Sequence, residues 1–311
     1  LQKNERVNGF APHIVQYQGS KRILAPQILQ FMPQRFERLV EPFAGMAAIT
    51  IATARQDRAS RYIINDLNKP IVDLLKMAIE NPKELVSRYS SVWEEQFDYE
   101  NGSVEHFYKI RSDFNHGKQD PANMLYLLAR CVKGSVRYST DGNFNQSPDK
   151  RRNGTMPMTL KKNVDAISYY LKGKTEFLSL DYREVLDMTA KGDIVYMDPP
   201  YQGVSNVRDC RYYSGIEYLD FINTIDKLNS RGIDFLISYD GKCGDRQYGK
   251  DLPKELGLHK ILLNAGLSSQ STLLGKKEIT YEALYISKNL VKHLPKAIFV
   301  EQKSVFDHIA V

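Results

Sequence analysis

The chain predicts an α/β fold: a doubly wound, mostly parallel sheet interrupted by an inserted, mainly helical unit. Two observations carry that expectation. Short apolar runs recur at 39–45, 61–65, 176–180, 194–198, 233–239 and 281–287, and helical patterns stand between most of them. Strands that alternate with helices pair in parallel through helical crossovers, and such sheets are covered on both faces. Between 81 and 165 the pattern changes to polar helices, then to a stretch rich in glycine, asparagine, serine and proline. This divides the chain into a sheet-bearing domain, 1–80 with 166–311, and an inserted subdomain, 81–165.

In order along the chain, 39–45 (Leu-Val-Glu-Pro-Phe-Ala-Gly) reads as a short strand running into a tight turn, with a helix over 46–56. The second strand, 61–65, ends at Asp66. Asn68-Lys69-Pro70 opens a helix to about Ile79, with proline in the first turn, where its missing N–H costs nothing. Asn81-Pro82 breaks it. Residues 83–133 read as helices bearing Trp93, Phe97, Phe107, Tyr108 and Phe114, with an apolar helix over 124–132. Residues 134–162 hold Gly134, Gly142, Gly154, Pro148, Pro157 and the run Asp149-Lys150-Arg151-Arg152, which predicts a hairpin or a long irregular loop. Strands then resume at 176–180, 194–198, 233–239 and 281–287, with helices over 182–190 and 217–230.

Composition sets outer bounds. The 311 residues are 42% hydrophobic, enough to bury a large core. A net charge of +6 and an isoelectric point near 9.0 are a mild basic excess and point weakly to a polyanion. Cys131, Cys210 and Cys243 are far apart, with no Cys-x-x-Cys and no Cys/His cluster. Free thiols and no metal are expected. No apolar run reaches the ~18 residues a membrane span needs. Residues 1–10 lack the apolar core of an export signal. A cytoplasmic chain without membrane contact is the expectation.

Residues 194–201 (Ile-Val-Tyr-Met-Asp-Pro-Pro-Tyr) are the most informative segment. A buried strand ends there in a carboxylate, two prolines and an aromatic. Pro199 and Pro200 fix φ and lack N–H groups, so the strand end is stiff and its carbonyls are free to accept from a ligand. Asp198 and a proline carbonyl can hold an amino group while Tyr201 offers a flat face, which suits a planar base with an exocyclic NH2. An ordinary proline turn is the bland alternative. Upstream, Glu41-Pro42-Phe43-Ala44-Gly45 leaves one strand and Asp66 ends the next, 21 residues after Gly45. A glycine that admits close backbone approach, followed at that spacing by an acid, suits ribose hydroxyls. The glycine patterns of dinucleotide and triphosphate sites are absent, and two acids would repel phosphate. Glu41 could instead cap the following helix. Tyr17-Gln18-Gly19-Ser20-Lys21 can form a tight loop with a cation and an aromatic wall, or a plain solvated turn. Asp181, at the end of 178–182, can accept from an amino group or serve as a helix N-cap.

These segments together resemble the motif series of the Dam-like, alpha-class DNA adenine-N6 methyltransferases, in the same order and across about 14–287. Tyr17 stands for the usual Trp, Ser20 for a second Gly, and Met46-Ala47-Ala48 for small polar residues. The resemblance implies a Rossmann-like methyltransferase sheet, S-adenosyl-L-methionine as cofactor with S-adenosyl-L-homocysteine as product, and no metal. It implies Tyr17, Gly19, Lys21, Glu41, Phe43, Ala44, Gly45, Asp66, Asp181 and Asp198 around the cofactor, with Asp198, Pro199, Pro200 and Tyr201 at the reacting base. Val136-Arg137-Tyr138 and Gly142-Asn143-Phe144-Asn145 resemble the family's recognition hairpin. That implies double-stranded DNA as partner, contacted by Arg137, Tyr138, Asn143, Asn145, Lys150, Arg151 and Arg152, although the basic run also reads as a solvated loop. Gln146-Ser147-Pro148-Asp149 departs from the Val-Pro-Phe-Gly-like residues of GATC readers, so another target is expected. A monomer or weak dimer at the nucleoid, with a restriction endonuclease as functional partner, completes the implication. The rival readings are an RNA adenine-N6 methyltransferase and an inactive DNA-binding protein of the same fold. Cytosine-N4 methylation is disfavoured, because serine is expected there in place of Asp198.

Overall fold

The computed structural model describes residues 9–99, 102–200, 217–243, 246–247, 251–267 and 278–295. After a short helix α1 (Ala25–Ile28), the chain alternates β1 (Phe36–Glu41), α2 (Ala48–Arg55), β2 (Ala59–Asn65) and α3 (Lys69–Glu80). Four further helices follow: α4 (Pro82–Glu95), α5 (Ser103–Asn115), α6 (Pro121–Arg130) and α7 (Pro157–Leu171). Alternation then returns with β3 (Thr175–Leu178), α8 (Tyr182–Asp187), β4 (Asp193–Met197), α9 (Tyr218–Ser230) and β5 (Asp234–Cys243). The two-residue β6 (Arg246–Gln247), β7 (His259–Leu267), β8 (Ile279–Ile286) and α10 (Lys288–His293) close the described chain.

All strands among the described residues lie in one sheet of order β3-β2-β1-β4-β5-β8-β7, with β6 paired to β5. The first five are parallel, while β8 runs antiparallel to both β5 and β7. The expected parallel sheet therefore holds for β3 to β5, and its far edge is antiparallel. β7 was not foreseen: it opens on His259-Lys260 and is interrupted by Asn264 and Gly266, so it lacks a clean apolar period.

Both faces of the parallel part are buried. Leu39, Ile194, Tyr196 and Leu236 belong to one apolar cluster, and their neighbours Val40, Val195, Met197, Phe235 and Ile237 to the other. Successive strand residues point to opposite faces, so these near-continuous apolar runs are what a doubly covered sheet requires. The larger cluster continues without a break from the sheet through α2 and α3 into Leu85 and Tyr89 of α4, Phe107 of α5, Leu125 of α6 and Leu160 of α7. The inserted helices thus share the sheet's core, and the boundary expected at 165 falls inside α7. Among the described residues, no helix is long and apolar enough to cross a membrane.

Candidate active site

β1 and β4 are neighbours, yet the chain leaves β1 towards β2 and β3 and leaves β4 towards β5. Opposite departures open a crevice at the carboxyl ends of the two strands, the usual ligand position in open α/β sheets. The segment 41–45 leaves β1 there, Asp66 leaves β2, and Asp198-Pro199-Pro200 leave β4.

One buried amide ties these ends together. Asn65 Nδ2 donates to the carbonyls of Pro42 (2.9 Å) and Leu180 (3.1 Å), and its Oδ1 accepts from Leu180 N–H (2.9 Å). Gly45 has φ +48°, and a Cβ there would stand 3.1 Å from Tyr17 Cε1, so glycine lets the Tyr17 ring lie against the backbone. Gly45 N–H donates to Asp66 Oδ2 at 2.8 Å, and Asn68 N–H to Oδ1 at 2.9 Å. Each carboxylate oxygen keeps lone-pair capacity for a further donor. Burial raises the Asp66 pKa, while the two backbone bonds act against it. Phe43, half-buried, meets the Tyr182 ring at 5.1 Å.

Glu41 points into the fold. Its Oε2 accepts from Thr50 N–H (3.0 Å) and the Thr50 hydroxyl (2.6 Å), capping α2, whose N-cap Ala47 offers no side-chain oxygen. The capping alternative is what this geometry presents. Burial pushes the Glu41 carboxyl up to about 8. Asp181 likewise caps α8: Oδ1 accepts from Arg183 N–H and Nε, both at 2.9 Å, and Oδ2 from Nη2 at 3.0 Å.

Lys21 is buried, and its Nζ sits 2.8 Å from Asp198 Oδ1 and 3.5 Å from Glu282 Oε2. It also donates to Gly19 O at 3.3 Å. Burial opposes the ammonium charge, but Asp198 and Glu282 outweigh it and hold Lys21 above the ordinary lysine range. Lys21 therefore serves Asp198 directly. Beneath them, the Tyr196 hydroxyl and Ser238 Oγ are 2.7 Å apart. Pro199 is buried, Pro200 is half-buried, and Tyr201 lies outside the described residues. Sequence reasoning missed Glu282. Its signal was there: an acid in register with Leu284 and Ile286, on the core-facing side of β8.

The stretch between α6 and α7 forms a small hairpin, bridged at Tyr138 and Phe144 and turned by Gly142 N–H to Ser139 O (3.0 Å). Asn115 of α5 holds it, accepting from Phe144 N–H at 2.8 Å. Arg137, Asn143, Asn145, Lys150, Arg151 and Arg152 are exposed. Asp149 lies 3.4 Å from both Arg151 and Arg152. Tyr138 behaves differently: it is half-buried, and its hydroxyl donates to Asn68 Oδ1 at 3.0 Å. Gly134 O accepts from Gln18 N–H (3.0 Å) and Arg152 Nη1 reaches Gln16 Oε1 (2.9 Å), so the hairpin is anchored on the segment that carries Tyr17 and Lys21. Among the described residues, no group of three or more His, Cys, Asp or Glu is disposed to hold a metal.

The profile of the D12 class N6 adenine-specific DNA methyltransferases matches residues 17–265. A type II methyltransferase, M1.LlaDCHI of Lactococcus lactis subsp. cremoris, is 27% identical over 89% of this chain and 95% of its own. The retron Ec67 DNA adenine methylase of Escherichia coli is 30% identical over 72% of this chain and 76% of its own. The DNA adenine methylase of Salmonella typhi is 28% identical over 61% and 65%. The matched span runs from the Tyr17 loop through Asp198 into β7, and the chain belongs to the D12 class of N6 adenine-specific DNA methyltransferases.

Proposed function

We propose that the crevice between β1 and β4 takes S-adenosyl-L-methionine and a flipped adenine side by side, and that the chain methylates adenine N6 at a specific sequence in double-stranded DNA. The observation that carries this is the adjacency of two strand ends. One bears the Gly45–Asp66 cradle under Tyr17, and the other bears Asp198 held by Lys21.

The residues present fit a nucleoside carrying an amino-acid tail. Asp66 has acceptor capacity for ribose hydroxyls, Phe43 and Tyr17 offer rings, and the Gly45 cradle admits close backbone approach. Gly19 and Ala44 line the same turns. When bound, the cofactor supplies an electrophilic methyl on a sulfonium. Adenine N6 is a poor nucleophile, because its lone pair is delocalised into the ring. Asp198 and the Pro199 carbonyl accept the two N6–H bonds and draw the nitrogen towards sp3, freeing the lone pair. Asp198 then stabilises the positive charge that develops on N6, and the methylated nitrogen returns to neutrality by releasing one proton to solvent. Alignment of the reacting atoms supplies much of the remaining rate.

The base must leave the duplex to reach Asp198, and Tyr201 is its stacking platform. The insertion, 81–165, serves as the target-recognition unit. Arg137, Asn143, Asn145 and the exposed Lys150, Arg151 and Arg152 contact bases and phosphates. Tyr138 supports the hairpin from within through Asn68. The chain would work at the nucleoid in the cytoplasm as a monomer or weak dimer, with an endonuclease of matching specificity as its functional partner.

Transfer of labelled methyl groups to duplex DNA, single-stranded DNA and ribosomal RNA tests this. The parent should label adenine in duplex DNA at one sequence. Asp198→Ala should abolish transfer and lower Tm, because the buried Lys21 ammonium loses its nearer carboxylate, and Asp198→Asn should lose most of kcat with KM nearly kept. Preferential labelling of RNA, or near-full activity in either variant, would overturn the reading.

A further inference from the structure

We propose that Glu282 is a positioning residue for methyl transfer: it shares the Lys21 ammonium with Asp198, so that Lys21 does not fully neutralise the Asp198 carboxylate, which must accept a hydrogen bond from the amino group of the target base. The inference rests on the role given to Asp198 above.

Three stretches of chain meet at Lys21 Nζ. Lys21 precedes β1, Asp198 ends β4 at 2.8 Å, and Glu282 lies on β8 at 3.5 Å. Strand periodicity explains the meeting. Tyr196 of β4, Leu236 of β5, and Leu284 and Ile286 of β8 all enter the larger apolar cluster. Asp198, Ser238 and Glu282 continue those same columns to the crevice end of the sheet. Glu282 is thus an acid in a column that is otherwise core. An acid there is costly to bury, and an apolar residue of similar size would serve the fold at least as well. Burial and the nearby Asp198 push the Glu282 carboxyl up, while Lys21 and the Ser238 hydroxyl act to keep it ionised, and its Oε1 is buried with no hydrogen bond among the described residues. Fold stability does not account for such a side chain.

Charge balance does. A carboxylate matched one-to-one by an ammonium is a weak acceptor. One ammonium divided between two carboxylates leaves a net negative charge across the group. The other titratable groups facing it do not cancel that charge. Glu41 from the end of β1 is held mostly protonated at neutral pH by burial, and Tyr196 on β4, joined to Ser238 on β5, stays neutral. Glu282 reaches Lys21 from β8, with β5 between it and the strand that carries Asp198.

The test is the single-turnover rate of methyl transfer to duplex DNA at saturating cofactor, measured across pH for the parent, Glu282→Gln and Glu282→Asp. Tm and both KM values are read alongside. Glu282→Gln removes a charge that repels the Asp198 anion, so Asp198 ionises more readily and the acid limb of the rate should move to lower pH. Lys21 then matches Asp198 alone, and the plateau rate should fall at least about tenfold. Both KM values should stay within about twofold of the parent's, since the role assigned to Glu282 is exerted through Lys21. Glu282→Asp keeps the charge but draws it back from Lys21. It should fall between the other two in rate and limb, and it carries the test alone if the Gln variant does not fold. A parent-like rate and limb in whichever variant folds, or a loss confined to Tm, overturns the inference. Failure of the parent to methylate adenine, or activity in Asp198→Ala, overturns the role of Asp198 instead.

Discussion

At neutral pH the folded chain holds a proton at Glu41 that the unfolded chain releases. Burial raises this carboxyl from an ordinary 4.5 to about 8. Between those values the folded state binds more protons than the unfolded one, so this group's contribution to stability falls as pH rises through the window. The direction is opposite to that of an acid held low by an ion pair. Glu41→Gln keeps an oxygen for Thr50 and removes the titration. Its Tm should therefore decline less than the parent's between pH 5 and 8, as roughly bounded by the two pKa values. Equal declines in the two proteins would show that Glu41 is ionised throughout. Asp198 and Lys21 were legible as site residues because their motifs are local. Their mutual contact was not, because the partners stand in segments that only the sheet brings together.

Among the elements, the hairpin between α6 and α7 has two parts that can be tested separately. Its base is bolted to the Tyr17 segment at Gly134, which has φ +58° and whose added Cβ would stand 2.1 Å from the Gln16 carbonyl. Gly134→Ala forces that seam apart. Both DNA affinity and the KM for S-adenosyl-L-methionine should worsen, the latter by roughly tenfold if about 1.4 kcal/mol of strain is released there. The arginine run, by contrast, is exposed. Replacing Arg151 and Arg152 with Ala should weaken DNA binding and flatten its dependence on salt, because fewer counterions are released. The cofactor KM should stay unchanged. Titrations of DNA affinity against salt, with cofactor KM measured in parallel, separate the two outcomes. A parent-like salt slope in the double variant would rule out phosphate contacts by that run. The hairpin was predictable from glycine and asparagine content. Its anchoring at Gln16, Gln18 and Asn68 was not, since those bonds cross between distant segments.

For the molecule as a whole, the larger apolar cluster joins the inserted helices to the sheet. Phe107 of α5 is fully buried within it. Phe107→Ala should cost about 3–5 kcal/mol through lost burial and the cavity left behind. Because the core is continuous, calorimetry should show one transition, lowered as a unit, with catalytic and DNA-binding activity lost together on heating. Two transitions, only one of them moved by the substitution, would show that the insertion folds by itself.

The sequence alone determined the alternation of strands and helices, the positions of the β1, β2 and β4 ends, and the residues that mark the family. These rest on short-range physics: apolar period, proline and glycine backbone limits, and spacing within a few residues. Tertiary structure decided what lies across strands. It turned Glu41 and Asp181 into helix caps, gave Lys21 to Asp198, set Tyr138 against Asn68, and brought in Glu282. It also set β8 antiparallel beside β5. Neither the partner of a side chain nor the neighbour of a strand is encoded nearby in the chain. Both follow from strand order and register, which arise only when the whole core packs.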